Sequence, residues 1–439
     1  MVVVGNDGSV NASTITETQI RNLVLASDTF QQSTHVLGLE MDYENKVMTR
    51  LQEAAGKSAG TDFNVYKMYG GRKRCNVADD GTINAFYGEA SYKEDGSNGQ
   101  VMVYQPKFYY QRTAIKTESY PKGTIIRKER LFISDTVQEG FKLHPLFKDA
   151  SGAELDYVLL PAYDGSLAND KLCSIAGVKP LSNVTLVEAE AYATNRGAGW
   201  HIMNMAAESV MQMLEMVEFG TLNGQNALEA GITNITSVNN YNCASLTGST
   251  AALGNATGVA TETYNDVNGS ITMQTTAGKR AISYRGLENP WGNIWNMLGG
   301  INVSGNGSQG GGIPYICTNF NYNINSTSDN YRSVGFCLPS VYGWISAMGY
   351  GNEDYDWVYM PAECSDAANS ALPVGDRLWT KANLNGIVLV AVGGSWSAEE
   401  NAGPFYYGCD RYVSDSSQHS YGVKLMYIPT KNTIYTSNY

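Results

Sequence analysis

The seven cysteines and four histidines are the side chains of this 439-residue chain best suited to hold a metal or attack a carbonyl, and their spacing gives them little to do together. Cys75, Cys173, Cys243, Cys317, Cys337, Cys364 and Cys409 are odd in number and form no CxxC pair, which argues against both a disulfide framework and a zinc knuckle and predicts mostly buried thiols. His35, His144, His201 and His419 are nowhere paired at metal-ligand spacing. Gly310-Gly311-Gly312 lacks the following Lys-Ser/Thr of a phosphate-binding loop, and no nucleophile elbow is present. The acidic runs Glu288-Asn289-Pro290 and Asn352-Glu353-Asp354 read as solvated turns, because a calcium site needs several converging oxygen ligands. No metal and no cofactor is expected.

A different chemistry is concentrated between Trp396 and Tyr421. Phe405, Tyr406, Tyr407, Tyr412 and Tyr421 stand there beside Ser397, Ser414, Ser416, Ser417 and Ser420. Tyrosine offers rigid amphipathic area at low entropic cost and serine adaptable hydrogen bonding, the mixture of an antibody-like binding surface. The expected contacts are Trp396, Ser397, Glu399, Glu400, Phe405, Tyr406, Tyr407, Asp410, Arg411, Tyr412, Ser414, Asp415, His419 and Tyr421. Trp396, which follows Gly394-Ser395, also reads as a framework residue packed beneath the loop, and Trp344 and Trp357 read as core anchors before rim contacts.

The elements that must position these residues are mixed. From Leu37 to Tyr110 short alternating runs separated by Gly, Asp and Asn clusters predict strands and turns, and Thr124 to Pro161 adds more. Two helices are predicted in close succession, over Leu186–Asn195 and from about Met203 to Phe219, the second with Met203, Ala207, Val210, Leu214 and Val217 on one stripe and Gly220 as its stop. A further helix is expected over Thr16–Ser27. Residues 221–280 and 299–330, rich in Asn, Thr, Gly and Ser, read as long exposed loops, and the last hundred residues return to strands. The net charge of −12 disfavours nucleic acid and anionic lipid as partners, no apolar run is long enough for a membrane span, and MVVVGNDGSV has no basic start of a signal peptide.

Three landmarks occur in order: the helix pair within residues 184–216, with Gly197-Ala198-Gly199-Trp200 between its members and Glu208 in the second; Glu288-Asn289-Pro290-Trp291-Gly292-Asn293-Ile294-Trp295-Asn296-Met297; and Gly393-Gly394-Ser395-Trp396, closing on Tyr421-Gly422-Val423-Lys424-Leu425. Together they resemble the C-type lectin fold in its formylglycine-generating-enzyme-like branch, and within it the variable proteins of diversity-generating retroelements. The resemblance spans roughly residues 120–439. It implies an α+β chain: a C-type lectin-like fold with two helices, a small twisted antiparallel sheet and long inserted loops (121–439), preceded by a β-rich attachment region (1–120).

The resemblance further implies a hypervariable ligand-binding protein, carried on a phage tail or bacterial cell surface, that recognises a host-surface protein or glycan without catalysis, alone or as a homo-oligomer such as a trimer. In such systems mutated Asn codons never yield Lys, Glu, Gln, Trp or Met, and residues 404–417 contain none of the five. Two alternatives stand beside this expectation. A copper oxidase of the formylglycine-generating type needs two nearby cysteines in the last segment, where Cys409 is alone. A virion decoration would use its loops only to pack against neighbours.

Overall fold

The computed structural model describes residues 3–4, 10–11, 34–120, 123–237, 241–261, 277–307, 311–367, 372–381, 384–415 and 418–429. The helix expected over Thr16–Ser27 lies outside them, as do Ser416 and Ser417.

Two large sheets dominate. The first has twelve strands; its main path runs Lys142–Leu143, Tyr109–Tyr120, Gly123–Ser134, Gly343–Tyr350, Arg377–Thr380, Tyr407–Cys409, Ala391–Val392, Trp295–Met297 and Tyr421–Gly422. Val36–Asp42 and Pro361–Ser365 branch from it. The second, six-stranded, is ordered Trp200–Ile202, Leu425–Tyr427, Tyr157–Pro161, Gln100–Pro106, Lys73–Val77 and Ile83–Phe86. The boundary expected between residues 120 and 121 falls at the tip of the hairpin formed by Tyr109–Tyr120 and Gly123–Ser134, and strands from both sides of it share both sheets.

The helices have clear local causes. Helix α1, Leu186–Thr194, starts at a capping box in which the Thr185 hydroxyl accepts from Glu188 N and the Glu188 carboxylate accepts from Thr185 N at 2.9 Å. Helix α2, Met205–Phe219, is capped by Asn204 and stops at Gly220, whose φ of 69° places it in the left-handed region that glycine adopts without strain. The single apolar stripe expected of α2 understates its burial. Every residue but Ala206 and Phe219 is buried, Glu208, Glu215 and Glu218 included. Glu218 is neutralised by Arg285, whose Nη2 lies 2.6 Å from its Oε1, and it accepts a 2.7 Å hydrogen bond from the Tyr284 hydroxyl.

The expected α+β architecture, with two helices and one small antiparallel sheet, is therefore corrected: the protein is β-rich. Among the described residues there are four α-helices, two of them the four-residue pieces Lys67–Gly70 and Gly224–Ala227, set against two large sheets and several small ones. Much of the difference arises in the supposed loops. Ile301–Gly307 and Gly312–Cys317 pair with each other and, with Leu384–Val388 and Tyr331–Ser333, form a four-stranded sheet. Their Asn/Gly/Ser-rich composition masks an alternation that is complete in Gly312–Cys317, where every second residue is buried. Cross-strand pairing and burial, more than composition, decide strand formation. Among the described residues no helix is long and apolar enough to cross a membrane.

Candidate functional site

The strand Tyr407–Cys409 lies inside the large sheet, parallel to Arg377–Thr380 on one side and antiparallel to Ala391–Val392 on the other. That position corrects the expected binding surface. Trp396, Phe405, Tyr406, Tyr407, Asp410 and Tyr421 are buried, and none of these side chains is presented to a ligand. Tyrosine tolerates burial because its ring packs while its hydroxyl finds a partner. The Tyr407 hydroxyl accepts from Gln212 Nε2 and donates to the Tyr359 carbonyl, both at 2.7 Å. Trp295 packs between Tyr406 (ring centroids 4.5 Å apart) and Tyr421 (5.8 Å), and the Arg411 guanidinium sits 5.5 Å from the Tyr421 ring. Burial pushes the Tyr406 hydroxyl up to about 12. Trp396 takes the framework role, its indole N–H donating to Ser237 Oγ at 3.1 Å.

The rest of the segment forms a rim. Ser397, Glu399, Glu400 and Ser414 are exposed, while Arg411, Tyr412 and His419 are half-buried. Tyr412 is tied down, its hydroxyl accepting from Asn385 N at 3.1 Å, and His419 packs 6.1 Å from the Trp396 ring. Asp415 ends the short turn Val413–Asp415. Cys409 is buried, which raises its thiol well above the ordinary value and disfavours the thiolate a soft metal would need. Among the described residues no group of three or more His, Cys, Asp or Glu is arranged to hold a metal ion.

Next to this segment lies an aromatic patch that the sequence reading missed. Of the seven tryptophans six are buried, and Trp379, 39% exposed, is the exception. It pairs with Gly408 across the parallel strands and packs 5.2 Å from the ring of Tyr342, itself 51% exposed, with Val341 exposed alongside. The Arg377 guanidinium lies 5.6 Å from Tyr342 and 5.2 Å from Trp344, and its Nη1 donates to Asn401 Oδ1 at 3.3 Å, joining the patch to the loop that carries Glu399 and Glu400. Lys381, 3.7 Å from Asp410, carries the charge pattern onward. A signal was present in Arg377-Leu378-Trp379-Thr380: Leu378 and Thr380 are buried, so the alternation turns Arg377 and Trp379 the other way.

Taken together, the arrangement offers an aromatic pair backed by a guanidinium that is bonded to the Asn401 amide, with Trp379 on a strand fixed inside a wide sheet. Among the described residues of this patch no nucleophile and base are brought together. No protein-family model matches the chain, and no curated protein matches it.

Proposed function

We propose that the protein is a non-catalytic recognition protein of the kind represented by the variable proteins of diversity-generating retroelements. In this reading it is carried on a phage tail or bacterial cell surface, singly or as a homotrimer, and binds a protein or glycan of a host surface. The observation that carries the proposal is the exposed Trp379–Tyr342 pair beside the C-terminal segment, in a chain that buries every other tryptophan. Exposed aromatics flanked by an arginine are the side chains that most often dominate interface energy. The strand that carries Trp379 is already ordered by pairing on both sides, so little of its conformational entropy is lost on binding. The landmark tryptophans Trp291, Trp295 and Trp396 serve here as a buried frame.

The reading is tested by labelling the purified protein and measuring its binding to host cells by flow cytometry. The double variant Trp379→Ala/Tyr342→Ala is expected to lose at least tenfold in binding while its melting temperature moves by no more than about 4 °C. Undiminished binding by that variant overturns the reading, as does failure of the unaltered protein to bind cells, which is the behaviour of a decoration that only packs against its neighbours.

A further inference from the structure

The stretch leaving strand Gly312–Cys317 reads Asn319-Phe320-Asn321-Tyr322-Asn323-Ile324-Asn325, with an amide at every second position. The structure keeps that period: the four asparagines are exposed, and Phe320, Tyr322 and Ile324 are half-buried. Tyr322 is the centre of the arrangement. Its ring rests on Gly299-Gly300, where a Cβ would come within 2.7 and 2.9 Å of ring atoms, and its hydroxyl accepts from Asn204 Nδ2 at 3.0 Å. Any larger residue at 299 or 300 would unseat it.

Two clefts open on either side of this tyrosine. One, of about 210 Å³, has Phe320, Tyr355 and Trp357 among its walls, with Asn319, Lys148 and Asp149. The other, of about 440 Å³, is walled by Leu186 and Ile202 on one side and by Asn321, Asn323, Asn325 and Glu190. The larger lies within the roughly 300–1,000 Å³ typical of small-ligand sites. Behind Tyr322 stands His201, its ring centroid 5.6 Å from both Phe320 and Tyr322, with Nδ1 held 2.8 Å from Glu190 Oε1. The histidine is thus a fixed wedge under the aromatic ridge.

The lining discriminates between ligand classes. Lys148 is the single cation among the residues that line the two clefts, it is followed by Asp149, and Asp354 and Glu190 add negative charge, so anionic ligands are repelled. Amides offer donors and acceptors together, and aromatic faces accept apolar C–H surfaces. A ligand with an apolar face and a periphery of neutral hydroxyls satisfies both. We infer that the clefts flanking Tyr322 form a binding site for a neutral oligosaccharide laid across the tyrosine ring, with hydroxyls on the asparagine row. This site shares no residue with the Trp379 rim and does not depend on its role.

The experiment uses the full chain on an array of neutral glycans, followed by calorimetric titration with the best-bound neutral hexasaccharide. One-to-one binding is expected, weakened at least tenfold by Tyr322→Ala and by the double variant Asn321→Ala/Asn323→Ala, and unchanged by Trp379→Ala. The two asparagines are exposed, so the double variant decides the matter if Tyr322→Ala fails to fold. The inference is overturned if no neutral glycan binds, if the asparagine variant binds as well as the parent, if Trp379→Ala abolishes the same binding, or if an acidic hexasaccharide or a neutral peptide binds the clefts in preference.

Discussion

Gln212, on the buried helix, donates a 2.7 Å hydrogen bond to the hydroxyl of Tyr407, on a strand of the large sheet, and so ties the C-terminal segment to the centre of the molecule. Tyr407 has no exposed surface. Tyr407→Ala is expected to destabilise the protein by about 3–5 kcal/mol through a large internal cavity. Tyr407→Phe should cost about 1 kcal/mol, since Gln212 Nε2 retains its 2.7 Å bond to the Pro404 carbonyl. Glu399→Ala and Glu400→Ala, on the exposed rim, should fall within about 0.5 kcal/mol of the parent. Denaturant unfolding measures all four, and equal stability of Tyr407→Ala and Glu400→Ala would refute the division into frame and rim.

Glu218 and Arg285 form a buried ion pair at 2.6 Å. Removing one partner strands the other charge in the interior, so Glu218→Ala should cost about 3–5 kcal/mol. The surface pair Lys116–Glu44 has half-exposed side chains and should give less than about 1 kcal/mol on loss of either member. The contrast in unfolding midpoints is the check; similar losses at both sites would contradict it.

Two interior carboxyls make stability depend on pH in an unusual direction. Burial pushes Glu208 up to about 8, with Lys424 pulling partly the other way, and burial pushes Asp376 up to about 8 against the hydrogen bond it accepts from Phe405 N at 2.7 Å. A folded value above the unfolded one means that the folded chain binds the extra proton. This contribution is whole below about pH 4 and is lost as pH climbs towards 8, at up to roughly 1 kcal/mol per pH unit for each group. Urea unfolding midpoints should therefore fall between pH 5 and pH 8. Glu208→Gln and Asp376→Asn should each flatten that fall, and a profile unchanged in both variants would show that neither carboxyl titrates in this window.

Arg377 backs the exposed aromatic pair through Tyr342 and Trp344. Lysine cannot reproduce a planar guanidinium over two rings. Arg377→Lys is expected to weaken host-cell binding several-fold while changing stability by about 1 kcal/mol or less, and binding equal to that of the parent would show that the patch does not require its backing cation.

Local chemistry alone specifies several parts of this protein. Thr185 and Glu188 announce the start of one helix, and Asn204 and Gly220 bound the next. The same reasoning misjudged residues 299–330, where composition suggested loops and alternation with distant partners made strands. It also took Phe405, Tyr406, Tyr407 and Tyr421 for exposed side chains, and they are buried. Tyr407 and Trp379 are both aromatic residues in short strands; the alternation within Arg377–Thr380 turns Trp379 away from the buried Leu378 and Thr380, whereas nothing within Tyr407–Cys409 says that Tyr407 is buried. The burial of Tyr407 is decided by neighbours remote in sequence: Tyr359 and Gln212 satisfy its hydroxyl inside the core. Burial is a property of how sheets and helix pack, so it could be settled only once those partners were in place.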